Sequence, residues 1–251
     1  MNCPLPVLVG VLLFSQTADD SYRSWTLKQA AQVLTDSPWS RQMVLTQPVI
    51  DEYRSPAIPG QDPRRTVTGA RDYGLSKDAG IGGDKELIYT YTVRFFSALP
   101  VRQAHIRLAQ LRSKYDHMSA EEMKAFDEKL YGILAADVGS RILISVQLST
   151  NDEEAGIEVD QQLRAATFES LRQKAYLLTE NRGRIPLEDY IPPGPDGTGA
   201  KLVFPRELNS EPVISRKSRQ VRLEFFVPGT GHKLYVGWNI RDMVQLGTVV
   251  Y

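Results

Sequence analysis

Residues 87–97 read LIYTYTVRFFS, and this stretch decides the fold class. Every second position on one face of it is apolar or aromatic: Tyr89, Tyr91, Val93 and Phe95. Such alternation is the period of a β-strand that buries one face. The sequence therefore predicts a strand here, around which the other elements can be placed.

Helices are predicted on both sides of this strand. One begins at Thr26, because the Thr26 hydroxyl and the Gln29 side chain can form a capping box. After the strand, residues 99–115 carry apolar side chains at helical spacing. A second capping box at Ser119 opens a further helix, and we expect these two helices to form a hairpin.

The rest of the chain adds strands and one more helix. A strand over residues 141–150 precedes a helix over 159–179, a loop rich in Pro and Gly over 181–200, and strands at 201–205, 221–227 and 233–240. This order predicts the α+β class. We expect a two-layer sandwich, with a mixed, largely antiparallel sheet and about four helices on one face.

The sheet face that points away from the helices is predicted to be polar with a few aromatic residues. It provides seven candidate binding residues: Arg94, Gln147, Arg222, Glu224, Phe226, Tyr235 and Asn239. A solvated surface is the simpler interpretation, because antiparallel sheets commonly leave one face in water. A binding platform is the alternative interpretation.

A basic segment extends this candidate site. It consists of Arg216, Lys217, Arg219 and Arg222, just before or within a predicted strand. Cations at this place can protect an edge strand from pairing with another chain. They can also contact an anionic ligand, so we include them among the candidate binding residues.

The charge balance excludes one class of partner. The chain has 30 Lys and Arg against 30 Asp and Glu, a formal net charge of zero. Binding to nucleic acid or to an anionic membrane rests on an excess of cations. We therefore predict no nucleic-acid partner, and membrane contact only through the leader.

The first residues have the pattern of a signal peptide. Residues 5–14, LPVLVGVLLF, are ten apolar positions, whereas an α-helical membrane span needs roughly 20. Small residues follow and end at Ala18, so we predict cleavage near Ala18 and a periplasmic or secreted protein. No Lys or Arg precedes the apolar run, which departs from the usual signal; a buried N-terminal strand or helix is the alternative.

Composition divides the chain into four segments. Residues 1–18 are the signal peptide, and 19–53 hold a helix and a strand that belong to the main domain. Residues 54–85, with six Gly and three Pro, are predicted to be a flexible or disordered insertion, and 86–251 complete the α+β domain. The single cysteine, Cys3, would leave with the leader, which excludes disulfides and a Cys nucleophile.

Familiar catalytic and cofactor motifs are missing from the sequence. GxSxG, SxxK, GxxxxGK[ST], GxGxxG and HExxH do not occur, so we predict no cofactor and no metal. A hydrolase site can still be assembled from distant segments. Its acid/base pair would combine His105 or His232 with a carboxylate such as Asp242 or Glu224.

Several short phrases occur together along the chain. They are Trp25-Thr26 with Ala30, Leu34 and Ser37-Pro38-Trp39; Val93-Arg94-Phe95 with Ser97-Ala98 and Pro100-Val101-Arg102; Phe204-Pro205-Arg206; and Asp242-Met243-Val244 with Gly247. They resemble a family of predicted secreted proteins of unknown function from acidobacterial-type soil bacteria. The resemblance covers most of the chain outside residues 54–85 and 181–200. It implies export and says nothing about chemistry.

These observations predict an exported, non-catalytic module that binds a protein or small ligand outside the cytoplasm. The polar sheet face and the basic segment would form its binding surface. An extracytoplasmic hydrolase is one alternative. A structural component of an envelope complex is another.

Overall fold

The computed structural model describes residues 20–48, 86–135, 138–245 and 247–251. The predicted signal peptide and its cleavage point near Ala18 lie outside the described residues, as does the predicted insertion over 54–85. Those expectations stay predictions.

The main chain forms five α-helices within these ranges. They are α1 (Leu27–Thr35), α2 (Leu99–Arg112), α3 (Ala120–Ala135), α4 (Glu153–Ala165) and α5 (Phe168–Leu171). Short 3₁₀ helices cover Asp20–Ser24, Tyr115–His117 and Ile240–Met243. The predicted capping box of α1 is present: the Thr26 hydroxyl accepts from the Gln29 amide, and the Gln29 side chain accepts from the Thr26 amide.

Most strands belong to two antiparallel sheets. The five-stranded sheet has the order β1 (Ser40–Pro48), β2 (Glu86–Phe95), β3 (Arg141–Thr150), β7 (Ala200–Pro205), β6 (Asp189–Ile191). The four-stranded sheet has the order β11 (Lys233–Asn239), β10 (Gln220–Phe226), β4 (Ala175–Thr179), β5 (Gly183–Pro186). Two short hairpins pair β8 (Glu207–Leu208) with β9 (Glu211–Pro212), and β12 (Val244–Gln245) with β13 (Thr248–Val249).

The apolar faces of the two sheets pack against each other. The Phe95 ring of β2 lies 4.7 Å from the Trp238 ring of β11, edge to face, and both side chains are fully buried. Nearby, the Tyr91 hydroxyl and His232 Nδ1 are 2.7 Å apart. The apolar face of β2 therefore contacts the second sheet rather than the helices.

Helices α1 and α2 cover the opposite face of the five-stranded sheet. Arg94 points to that side and donates to the Leu34 carbonyl of α1, while the His105 ring of α2 lies 5.7 Å from Phe96. The α+β class is confirmed. The order of the layers is helices, five-stranded sheet and four-stranded sheet. The sequence did not predict this order, because alternation fixes which residues share a face of a strand but not which layer covers that face.

The prediction of one helix over residues 159–179 is wrong. Helix α4 ends at Ala165, and residues 175–179 form β4, in which Leu177 pairs with Leu223 of β10. Residues Leu171, Ala175 and Leu178 also satisfy helical spacing. Pairing with β10 overrides that local pattern, since strand formation depends on the neighbours a segment meets in the fold.

One edge of β3 lacks a strand partner over part of its length. Pairing between β3 and β7 ends at Val146 and Ala200, so residues 147–150 have no partner on that side. The chain between Pro193 and Ala200 passes here. A Cβ at Gly199, whose φ is +82°, would lie only 2.3 Å from the Val146 carbonyl oxygen. This close approach requires glycine.

Candidate functional site

The structure divides the ten sequence-predicted site residues into three separate groups. Arg94 and Gln147 lie on the face of the five-stranded sheet that the helices cover. A surface concavity gathers Arg216, Lys217, Arg219 and Asn239. The outer face of the four-stranded sheet carries Arg222, Glu224, Phe226 and Tyr235. The expectation of one continuous platform is therefore wrong, because the strands belong to two sheets whose outer faces point in opposite directions.

The outer face of the four-stranded sheet is an open surface whose charges are locally compensated. Tyr235 and Phe226 are exposed there, and Lys233 Nζ lies 4.2 and 4.5 Å from their ring centroids. The same ammonium group is 3.6 Å from the Glu224 carboxylate. The Lys233 ammonium group therefore contacts two aromatic rings and one carboxylate, and it is also in contact with solvent.

The surface concavity that contains Arg216, Lys217, Arg219 and Asn239, which we call the basic concavity, is also exposed to solvent. It encloses about 780 Å³ and includes Arg241 beside the predicted cations, while Asn239 donates to the Asp242 carboxylate over 3.3 Å. Arg216, Lys217 and Arg219 are all exposed. Water and salt screen charges at such a surface, so a single anion gains little there.

A cavity of about 360 Å³ lies between the helices and the five-stranded sheet. Side chains of α1, α2 and α3 supply much of its wall, including Leu34, Leu108, Leu130 and Ile133. Its polar lining includes Arg94, His105, Arg112, Gln147, Asp196 and Thr198. We call it the helix-side cavity, and it is the candidate functional site.

Arg94 provides a buried positive charge in this cavity. Its side chain is only 4% exposed, with Nε donating to the Leu34 carbonyl over 2.6 Å and Nη1 to Gln147 Oε1 over 2.9 Å. Among the described residues, no carboxylate lies within ion-pair distance of it, and its Nη2 has no hydrogen-bond partner. Burial lowers the pKa of Arg94 from 12.5 to about 10, so the guanidinium stays charged at neutral pH.

His105 adds a neutral polar group beside this cation. Its Nε2 is buried and has no hydrogen-bond partner. Burial, and next the positive charge of Arg94, lower the pKa of His105 to about 3. At neutral pH the imidazole is therefore uncharged, with one nitrogen available to donate and the other to accept.

The carboxylate at the cavity wall is already used by other groups. Asp196 accepts hydrogen bonds from the amide and the hydroxyl of Thr198 and from Lys201 Nζ, at 3.1, 2.8 and 3.2 Å. Burial by itself would raise the pKa of Asp196, but these bonds and the charge of Lys201 lower it. Lys201 thus neutralises Asp196, and neither Arg94 nor Arg112 forms an ion pair with a carboxylate of the described residues.

The sequence identified only part of this cavity. Arg94 and Gln147 were predicted as surface residues, and His105 was a candidate for an acid/base pair. Arg112 and Asp196 were missed. Arg112 is the last residue of α2, and Asp196 lies in a Pro- and Gly-rich loop, so no local pattern joins either of them to Arg94.

The acid/base pairs considered for a hydrolase are not formed by the described side chains. His232 Nδ1 is paired with the Tyr91 hydroxyl. Asp242 accepts from Asn239, and Glu224 lies beside Lys233. Neither carboxylate is bonded to a histidine.

The described parts of the chain lack two further features. No cluster of three or more His, Cys, Asp or Glu side chains in these ranges could hold a metal ion. Among the helices with assigned positions, none is long and apolar enough to cross a membrane.

Comparison with known proteins adds no relative. No protein-family model, no curated protein and no solved structure matches this chain. The resemblance to secreted proteins of acidobacterial-type bacteria stays a prediction.

Proposed function

We propose that the protein is an exported binding protein that takes up a small anionic ligand in the helix-side cavity. The ligand's carboxylate or phosphate group would lie against Arg94, with Arg112 at the exposed rim. The neutral His105 would contribute a hydrogen bond. In this proposal the protein carries the ligand and does not convert it.

One observation supports this proposal above all others: the guanidinium of Arg94 is buried, and no carboxylate of the described residues pairs with it. Removing a charge from water costs several kcal/mol unless an opposite charge compensates it. The two bonded acceptors of Arg94 are neutral oxygens, and Nη2 has no acceptor among the described residues. An anion in the cavity would supply the missing charge and accept from Nη2 in a charge-assisted hydrogen bond.

The size of the cavity fits this role. Its volume of about 360 Å³ lies near the lower end of the roughly 300–1,000 Å³ range of small-molecule sites. Apolar walls with a few convergent polar groups are also typical of such sites. The export part of the proposal rests on the leader and on a mature chain without cysteine.

Isothermal titration calorimetry with acetate, succinate, benzoate and inorganic phosphate tests the proposal. We expect at least one of these anions to bind with one-to-one stoichiometry. Substitution Arg94→Gln should weaken that binding about 10- to 100-fold, as expected for the loss of a hydrogen bond to a charged group. Arg112→Gln, a change at the exposed rim, should weaken it less and provides a variant that keeps the buried wall intact.

Arg219→Gln is the matched control, since Arg219 is an exposed cation in the basic concavity. It should leave the affinity unchanged. Absence of binding by all four anions would overturn the proposal. Loss of binding in Arg219→Gln but not in Arg94→Gln would also overturn it, and would move the site to the basic concavity.

A further inference from the structure

We infer that the ligand is an amphiphile, whose anionic head occupies the helix-side cavity and whose linear apolar chain lies in a neighbouring groove. This inference rests on the proposed function and specifies the class of ligand. The groove encloses about 650 Å³ on the other side of β3, between that strand and α4.

Five apolar side chains line the groove, beside polar ones such as Thr150 and Gln161. The apolar ones are Val146 and Leu148 of β3, Ile157 and Leu163 of α4, and Pro193. Ile157 is 51% exposed although it faces this concavity. An apolar chain in the groove would remove that surface from water, at a gain of about 25 cal/mol per Å² buried.

Two of the three charged side chains that line the groove neutralise each other. Asp160 and Arg164 form an ion pair with a 2.6 Å contact, and Arg164 also donates to the Pro193 carbonyl over 2.7 Å. The third charged side chain, Glu153, is negative, so the lining does not offer a site for a second anionic group. The groove therefore suits an uncharged chain.

The two concavities meet at the open edge of β3. Gln147 and Gly197 line both of them. Gln147 directs its side chain to Arg94, whereas its neighbours Val146 and Leu148 direct theirs into the groove. Because β7 no longer pairs with β3 beyond Val146, no strand separates the two faces at this point. The chain between Pro193 and Ala200 passes along this edge, and a Cβ at Gly197 would meet nothing within 4 Å. In this proposal a flexible ligand passes from one concavity to the other beside Gly197.

Titration with linear saturated carboxylates of increasing length tests the inference, using acetate, hexanoate, octanoate and decanoate below the concentrations at which they aggregate. Each buried methylene should tighten binding about fourfold. With incomplete burial along the groove, decanoate should bind about 100-fold more tightly than hexanoate. The affinity should level off when the chain outgrows the groove.

Variants assign each part of the ligand to its concavity. Ile157→Ser should weaken decanoate about tenfold and leave acetate unchanged, whereas Arg94→Gln should weaken both. Ile191→Ser is the matched control, because Ile191 is also exposed, at 42%, but does not line the groove. It should leave both affinities unchanged.

The outcomes separate this inference from the proposed function. Binding of short anions without any gain from chain length would overturn the amphiphile and leave the anion site in place. Decanoate binding that Ile157→Ser abolishes but Arg94→Gln does not affect would also overturn it, in favour of a purely apolar ligand. Failure of every carboxylate and of phosphate would overturn both.

Discussion

Two glycines beside the site provide a paired test of the loop that lines the two concavities. Gly197 and Gly199 both have positive φ values, +67° and +82°. A Cβ at Gly197 would meet nothing within 4 Å, whereas one at Gly199 would lie 2.3 Å from the Val146 carbonyl oxygen. Replacing each with alanine therefore separates the effect of backbone conformation from the effect of close packing.

The expected losses of stability follow from these values. An L-residue in the left-handed region costs about 1–2 kcal/mol, which is the expected loss for Gly197→Ala. Gly199→Ala has the same cost and a steric one in addition. Since real Cβ atoms do not approach closer than 3.0 Å, the 2.3 Å contact forces the loop or β3 to move by about 0.7 Å. Overpacking of this kind adds about 1–3 kcal/mol, so we expect a total of about 2–5 kcal/mol.

Urea unfolding followed by tryptophan fluorescence measures both losses, since Trp39 and Trp238 are buried and report on the core. Gly183→Ala, with φ +68° and open space around the Cβ, is a control far from the site and should resemble Gly197→Ala. Equal stabilities of the Gly197 and Gly199 variants, within about 0.5 kcal/mol at an unchanged m-value, would refute the close approach of this loop to β3.

Two further predictions concern pH and export. Because folding lowers the pKa of His105 from 6.5 to about 3, its contribution to stability is complete above pH 6.5 and is lost as the pH falls toward 3. Between pH 7 and pH 5 the free energy of unfolding of the wild type should fall by about 2 kcal/mol more than that of His105→Leu. For the exposed control, His117→Leu, it should fall as much as for the wild type. Equal losses in all three proteins, measured by urea unfolding at each pH, would contradict the burial of His105. N-terminal sequencing of protein recovered outside the cytoplasm should begin at Asp19, and recovery of only the uncleaved chain from the cytoplasm would refute export.

Local signals in the sequence were enough for much of the secondary structure. Alternation predicted β2, β3, β10 and β11 close to their observed bounds, because apolar side chains occupy every second position of each strand. The capping box at Ser119 is present, with the Ser119 amide donating to Glu122 and the Glu122 amide to the Ser119 hydroxyl. These features depend on residues three or fewer positions apart, so a linear sequence contains them.

The candidate site depends on relations of another kind. Arg94 is buried because α1 and α2 cover its face of the sheet, and Asp196 comes from a loop about a hundred residues further along the chain. Alternation in β2 is the same whether water or a helix lies over the polar face. The assignment of layers, and with it the site, therefore could not be predicted from local pattern.

The polar residues beneath the helices are themselves an unusual feature of the fold. A strand that is covered on both faces is usually apolar throughout, yet Thr92, Arg94 and Ser145 are buried under the helices. Apolar side chains at these positions would pack without desolvating a charge, and replacing buried ionic groups by apolar ones is often neutral or stabilising. Packing alone therefore does not account for a guanidinium at this place. An anion in the helix-side cavity would compensate the charge, which is why the buried polar face favours a binding site over a purely structural layer.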